Sequence, residues 1–266
     1  TYNPVKHYNL NVGLLQVGDP ADMMVVNNLT DFKIKEVFID GIKVAESGTC
    51  LVPSVPISKP NRFRTGLVKP DDFQVKAEGR HMRVIKAYDG QLSTTAISVH
   101  PNVVNGEVVP DLDNDILKIS VINRYQNDVP PFTAFVQGFG LKRGAMASTI
   151  AHDSHNVIVV GTNDEDIARA VNAVIEVKGG ISVADGNDVF ILPLPVAGLM
   201  SDLDGQTTAR RFQLMEQFIL SWGSNLKAPF MTLSFMALLV IPELKISDKS
   251  LFDGTNFAYV PLFIEM

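Results

Sequence analysis

The 266 residues include a single cysteine, Cys50, so no disulfide can close within the chain and no cysteine-based zinc motif exists. That sparing use fits a reducing compartment, and a cytoplasmic location is expected. Positive charge is also scarce: 23 Lys and Arg stand against 29 Asp and Glu, a formal net charge of −6. The basic residues are scattered, which argues against nucleic acid or an anionic membrane surface as a partner. No apolar run approaches the ~20 residues needed to cross a bilayer. The most apolar segment, "FMALLVIPEL" at 235–244, is broken by Pro242. "TYNPVKHYNL" at the start has no basic segment leading into an apolar one and does not read as a secretion signal.

What is present suffices for a sizeable core: 46% of residues are hydrophobic and 20% charged, enough for one or two globular domains. Residues 1–50 carry short β-like runs, "ADMMVV" (21–26) and "IKEVFIDGIKVAES" (34–47), with Asp40-Gly41 as a two-residue hairpin signal. Three strands are too few for a domain of their own, so this region reads as an incomplete module that needs a neighbour. Residues 51–66, with three prolines, read as an extended linker.

Residues 67–266 supply most of the mass and are expected to be α+β. Strands are predicted within 81–99, turning at Asp89-Gly90, and over 132–139. A half-buried strand is predicted over 115–125, where Leu117, Ile119 and Val121 alternate with Lys118 and Ser120. Thr162 and Glu165 suggest a capping box opening a helix near 163, with Ile167, Val171, Val174 and Ile175 as its apolar stripe and Gly179-Gly180 as its stop. A hairpin is predicted at 181–195 and a second helix at 207–222. Tight Asp-Gly turns favour antiparallel pairing, giving a mostly antiparallel sheet covered by a few helices.

The stretch "STIAHDSHNVIVVG" (148–161) carries the candidate site: His152, Asp153, Ser154, His155 and Asn156 between two β-like runs. These are the residue types of a nucleophilic triad, but neighbours in an extended segment point to opposite faces, so they do not converge. His152 and His155 could converge on a metal if the loop turns, yet two ligands are too few for zinc. Two readings stay open: a tight, internally hydrogen-bonded loop, and a loop that completes a pocket whose reactive part lies elsewhere. Gly138, Gly140 and Gly144 in "GFGLKRGAMAS" miss the dinucleotide spacing by one residue and read as turn formers. "DLDND" (111–115) lacks the glycine and glutamate of a calcium loop and reads as a solvated turn. Met231, Phe235 and Met236 read as core or as a purine-stacking surface.

Several long stretches resemble the bacterial adenine deaminases of the amidohydrolase superfamily. "NPVKHYNLNVGLLQVGDPADMMVV" (3–26) and "KEVFIDGIKV" (35–44) are similar to the segment that leaves the amidohydrolase barrel and re-enters its small β-sandwich. "GFGLKRGAMASTIAHDSHNVIVVGTND" (138–164), "LPLPVAGLMSD" (192–202) and "PFMTLSFMALLVIPELKISD" (229–248) are similar to the family's C-terminal domain. The resemblance implies a partial β-sandwich over 1–50, a C-terminal α+β domain over 67–266, and hydrolysis of adenine to hypoxanthine and ammonia. It further implies a divalent metal (manganese or iron, with zinc a third option) held by a catalytic barrel, and a homo-oligomer. The chain departs from the family in having no H-x-H pair and no barrel-length series. It is therefore expected to be inactive alone, with the 152–156 loop lining the site of its own catalytic barrel. A free-standing assembly or purine-binding module is the alternative.

Overall fold

The computed structural model describes residues 2–264, which fall into two compact units divided between Ile57 and Ser58. The first unit has a short helix, α1 (Tyr2–Tyr8), and a four-stranded antiparallel sheet in chain order: β1 (Met23–Val26), β2 (Ile34–Ile39), β3 (Ile42–Glu46) and β4 (Thr49–Cys50). The β2–β3 hairpin turns at Asp40 and Gly41, with φ of 50° and 75°. That positive pair is what an Asp-Gly turn supplies, and it matches the strands' own twist. Asp22 ties the hairpin down, accepting from the backbone N–H of Asp40 at 2.8 Å and of Gly13 at 3.0 Å. These bonds hold its carboxyl below the usual carboxylate range. The sheet buries none of its large apolar side chains: Met24, Ile39 and Ile42 are 53%, 56% and 68% exposed. A single sheet with wet apolar faces lacks the second layer that stable β structures use.

In the second unit, residues 58–69 run without regular structure but are docked. The Pro60 carbonyl accepts from the Ala197 N–H and the Arg124 carbonyl from the Arg64 N–H, each at 2.7 Å, while Val68 and Asn172 exchange two bonds of 2.9 Å. The second half of the proline-rich segment is therefore a strap laid on the domain.

Next come β5 (His81–Lys86), β6 (Thr95–Val99), β7 (Val103–Val104), β8 (Glu107–Val108), β9 (Ile116–Ile122), β10 (Phe132–Gln137), β11 (Ala145–Ser148) and β12 (Val157–Gly161). Helix α2 (Asp164–Glu176) leads into the hairpin β13 (Gly180–Asp185) and β14 (Asp188–Pro193), followed by α3 (Gly205–Ser221) and α4 (Pro229–Phe235). A small sheet of β15 (Leu244–Ile246), β16 (Leu251–Asp253) and β17 (Ala258–Val260) precedes β18 (Phe263–Ile264). The main sheet runs β14-β13-β11-β12-β9-β10-β5-β18, with β6 also on β5. Its pairs are antiparallel except β5 with β10. The domain is α+β, a mostly antiparallel sheet covered by helices, as expected.

Both faces of the sheet centre are covered. On one face Ile167, Val171 and Val174 of α2 pack with Ala147, Val157 and Val159; on the other Met215, Ile219 and Trp222 of α3 and Phe230 and Leu233 of α4 pack with Met146, Ile158 and Val160. This overturns the half-buried expectation for 115–125, since β9 is buried at all seven positions. Its polar side chains survive burial because each is paired: Lys118 with Asp164 at 2.7 Å, and the Ser120 hydroxyl with that of Thr133 at 2.8 Å. The start of α2 also differs by one residue. Its N-cap is Asn163, whose side chain accepts from the Asp166 N–H at 2.8 Å, in place of the expected Thr162 with Glu165. The apolar stripe and the stop hold: Gly179, at φ 122°, returns its N–H to the Val174 carbonyl.

Candidate functional site

The strand register gathers four loops at one end of the sheet. Ile122 at the end of β9 pairs with Val157 at the start of β12, Ser148 at the end of β11 lies between Ile158 and Ile181, and Gly180 pairs with Pro193 at the end of β14. The segments after β9, between β11 and β12, before β13 and after β14 therefore share one end, and α4 packs beside them. The Thr149 side chain links two of them, donating to the Gly198 carbonyl at 2.6 Å and accepting from the Gly180 N–H at 2.9 Å.

The loop between β11 and β12 turns sharply within itself. The His155 N–H returns to the Ala151 carbonyl at 2.6 Å, His155 has φ 52°, and the His152–Asp153 peptide is cis. The turn brings the rings of His152 and His155 to 5.8 Å between centroids at 71°. His152 stacks on Phe235 at 5.3 Å and donates its backbone N–H to the Ser234 carbonyl at 3.2 Å. Asp153 and Ser154 are exposed, Asn156 is buried, and Nδ1 of His155 is buried without a hydrogen-bond partner among the described residues. Burial, with the nearby charges of His152 and Arg124, lowers the pKa of His155 below the usual histidine value. A Ser-His-Asp relay is not assembled, since a base in such a relay needs an orienting partner on Nδ1.

Three residues that sequence reasoning did not single out organise this end. Arg124, 4% exposed, receives the Asn156 side-chain oxygen on its backbone N–H at 3.3 Å. Its Nη2 donates to the Tyr125 hydroxyl at 3.0 Å and to the Ala197 carbonyl at 2.9 Å. The Tyr125 hydroxyl donates onward to the Ser154 carbonyl at 2.7 Å. The Asn123 side chain caps this turn, accepting from the Tyr125 N–H at 2.9 Å and donating to Asp248 at 2.7 Å. The signal available in the sequence was the polar burst "NRYQND" directly after an apolar strand.

The remaining candidates fall into separate places. Gly138, Gly140 and Gly144 all have positive φ, and Asp115 of "DLDND" accepts from the N–H of Gly138 at 2.9 Å and Gly140 at 2.7 Å, so that motif is in part a clamp on the glycine turns. Of the possible stacking residues, Phe235 meets His152, Met236 is buried and Met231 is exposed. Beside the loop, Ile150, Leu194, Leu199, Met200 and Phe212 line an apolar cleft of about 480 Å³. A larger groove of about 1310 Å³ lies against β5 and β18 and includes no residue of the 152–156 loop. Among the described residues, no group of three or more His, Cys, Asp or Glu comes together to hold a metal ion, so the divalent metal implied by the resemblance does not fit here. No helix among the described residues is long and apolar enough to cross a membrane.

Fold and site together define a two-unit α+β chain with a histidine-bearing loop end and no metal constellation among its described residues. Residues 91–258 match the adenine deaminase C-terminal domain, and residues 1–44 match the amidohydrolase family. The chain belongs to the adenine deaminase C-terminal domain family. It is 49% identical over 264 residues to an adenine deaminase of Salinibacter ruber, covering 99% of this chain and 48% of that protein. Adenine deaminases of Methanosarcina mazei and Borreliella burgdorferi are 46% and 39% identical, over 99% and 97% of this chain and 50% and 47% of those proteins. The chain thus spans about half the length of the relatives it matches.

Proposed function

We propose that this chain is the C-terminal part of an adenine deaminase, contributing the 152–156 loop to an active site whose catalytic barrel lies outside it. The reaction is hydrolytic: the oxygen of water bonds to the purine carbon that bears the amino group and the C–N bond breaks, one proton of the water passing to the leaving nitrogen, which departs as ammonia, and the other to a ring nitrogen of the hypoxanthine. The observation that carries the reading is the convergence of the three stretches 138–164, 192–202 and 229–248 on one loop end, through Arg124 to Ala197 and His152 to Ser234 and Phe235. A polar loop presenting His152 and His155 suits a pocket wall or lid, and the ligands of the manganese, iron or zinc ion belong to the barrel.

The uncovered sheet of the first unit supports the same arrangement, because its exposed apolar faces call for a further layer. A cytoplasmic location fits the lone, exposed Cys50. Homo-oligomer formation is the second reading, favoured by β14, an edge strand on which Val189 and Phe190 are 40% and 39% exposed.

The test is an adenine turnover assay on this chain with manganese, iron or zinc supplied in turn. No ammonia release is expected; robust, metal-dependent turnover would show that the barrel is not required and overturn the reading.

A further inference from the structure

Arg124 is a buried cation to which no carboxylate among the described residues is hydrogen-bonded. Its guanidinium lies 4.8 Å from the Tyr125 ring and 5.9 Å from that of Phe63, donates twice from Nη2, and leaves Nε and Nη1 buried without a hydrogen-bond partner among the described residues. Gly198 abuts it so closely that a Cβ there would overlap Nη1. Burying a cation in this way is costly, and a core serving packing alone would place a neutral side chain there. What the residue does instead is tie three other segments to its own. Its carbonyl takes the strap at Arg64, its backbone N–H takes Asn156, its Nη2 takes Ala197, and through Tyr125 it reaches the Ser154 carbonyl.

We propose that Arg124 is a positioning residue for the 152–156 loop, acting through Tyr125 and Asn156 to present the His155 ring in one fixed pose. The contacts grip the loop at Ser154 and Asn156, the residues on either side of His155, whose positive φ makes the backbone there dependent on its surroundings. The charged and titratable groups around the ring are His152, Arg124 and Asp153; the first two disfavour the imidazolium and Asp153 favours it. Burial first, and then the charges of His152 and Arg124, lower the pKa of the ring below the usual histidine value, which favours the uncharged form in which one nitrogen accepts a hydrogen bond. The inference rests on the deaminase reading only for its meaning in turnover, since the positioning is a property of this chain.

The experiment is NMR on this chain, following the His155 ring through a pH titration and the amide exchange of Ser154 and His155, in the parent and in Arg124→Gln, Arg124→Lys and Tyr125→Phe. Arg124→Gln is expected to raise the titration midpoint of His155 and speed exchange of the loop amides. Arg124→Lys keeps the charge, so it should hold the midpoint near the parent's while still speeding exchange. Tyr125→Phe removes only the hydroxyl and keeps the cation; it should speed exchange about fivefold and remains informative if Arg124→Gln does not fold. Folded variants whose loop exchange and His155 titration both match the parent would overturn the inference. In a full-length adenine deaminase containing this segment, Arg124→Lys should shift the split between kcat and KM. Unchanged kinetics beside a loosened loop would count against the deaminase reading alone and leave the positioning role standing.

Discussion

Lys245 shows what one buried residue does to the stability of this domain. It lies in β15 with no exposed surface, its Nζ donates to the Leu92 carbonyl at 2.6 Å, and burial lowers its pKa to about 8. Above pH 8 the folded domain releases the proton while the unfolded chain keeps it up to the ordinary lysine value of 10.5, so stability rises with pH through that window. Below pH 8 the charged form is carried at a cost of roughly 3 kcal/mol, part of which the bond to Leu92 offsets. Lys245→Met should therefore raise the unfolding free energy at pH 7 by about 2 kcal/mol in a urea titration, with the advantage vanishing by pH 10.5. An advantage of equal size at both pH values would show that packing, not charge, is responsible. At this same scale the candidate site was half legible. His152, Asp153, Ser154, His155 and Asn156 could be read because they are contiguous, polar and flanked by apolar strands. Arg124 could not, because its partners Arg64, Asn156 and Ala197 are brought to it only by the assembled sheet.

Elements announce themselves when their chemistry is local. Asp40-Gly41 and Gly186 turn their hairpins because they accept positive φ, and the stripe of Ile167, Val171, Val174 and Ile175 marks the buried face of α2. The parallel pairing of β10 on β5 and the return of β18 to β5 leave no local mark, because each joins segments far apart in the chain. Both-sided burial of β9 was likewise hidden, since Lys118 and Ser120 look like a solvated face until their partners arrive. The attachment of α2 to β9 rests on Lys118, whose Nζ donates to both Asp164 oxygens at 2.7 Å and to the Phe73 carbonyl at 3.1 Å. Asp164→Asn leaves that ammonium buried beside a neutral amide and is expected to lower stability by about 3 kcal/mol, read by urea unfolding. A loss below about 0.5 kcal/mol would mean that water, not Asp164, satisfies the charge.

At the scale of the whole molecule, the two units differ in kind. The second holds a closed core on both faces of its sheet, whereas the first displays Met24, Ile39 and Ile42 to solvent. An uncovered sheet, and a polar histidine loop beside which no metal constellation forms among the described residues, are both accounted for if this chain works against a barrel domain. The most direct test of that account is the rate of adenine turnover by His155→Ala in a full-length adenine deaminase containing this segment, measured beside the thermal midpoint of the same protein. The account predicts a loss of about 10- to 100-fold in kcat/KM at an unchanged midpoint. Parent-level turnover at that same midpoint would contradict it and leave the loop with a structural role only.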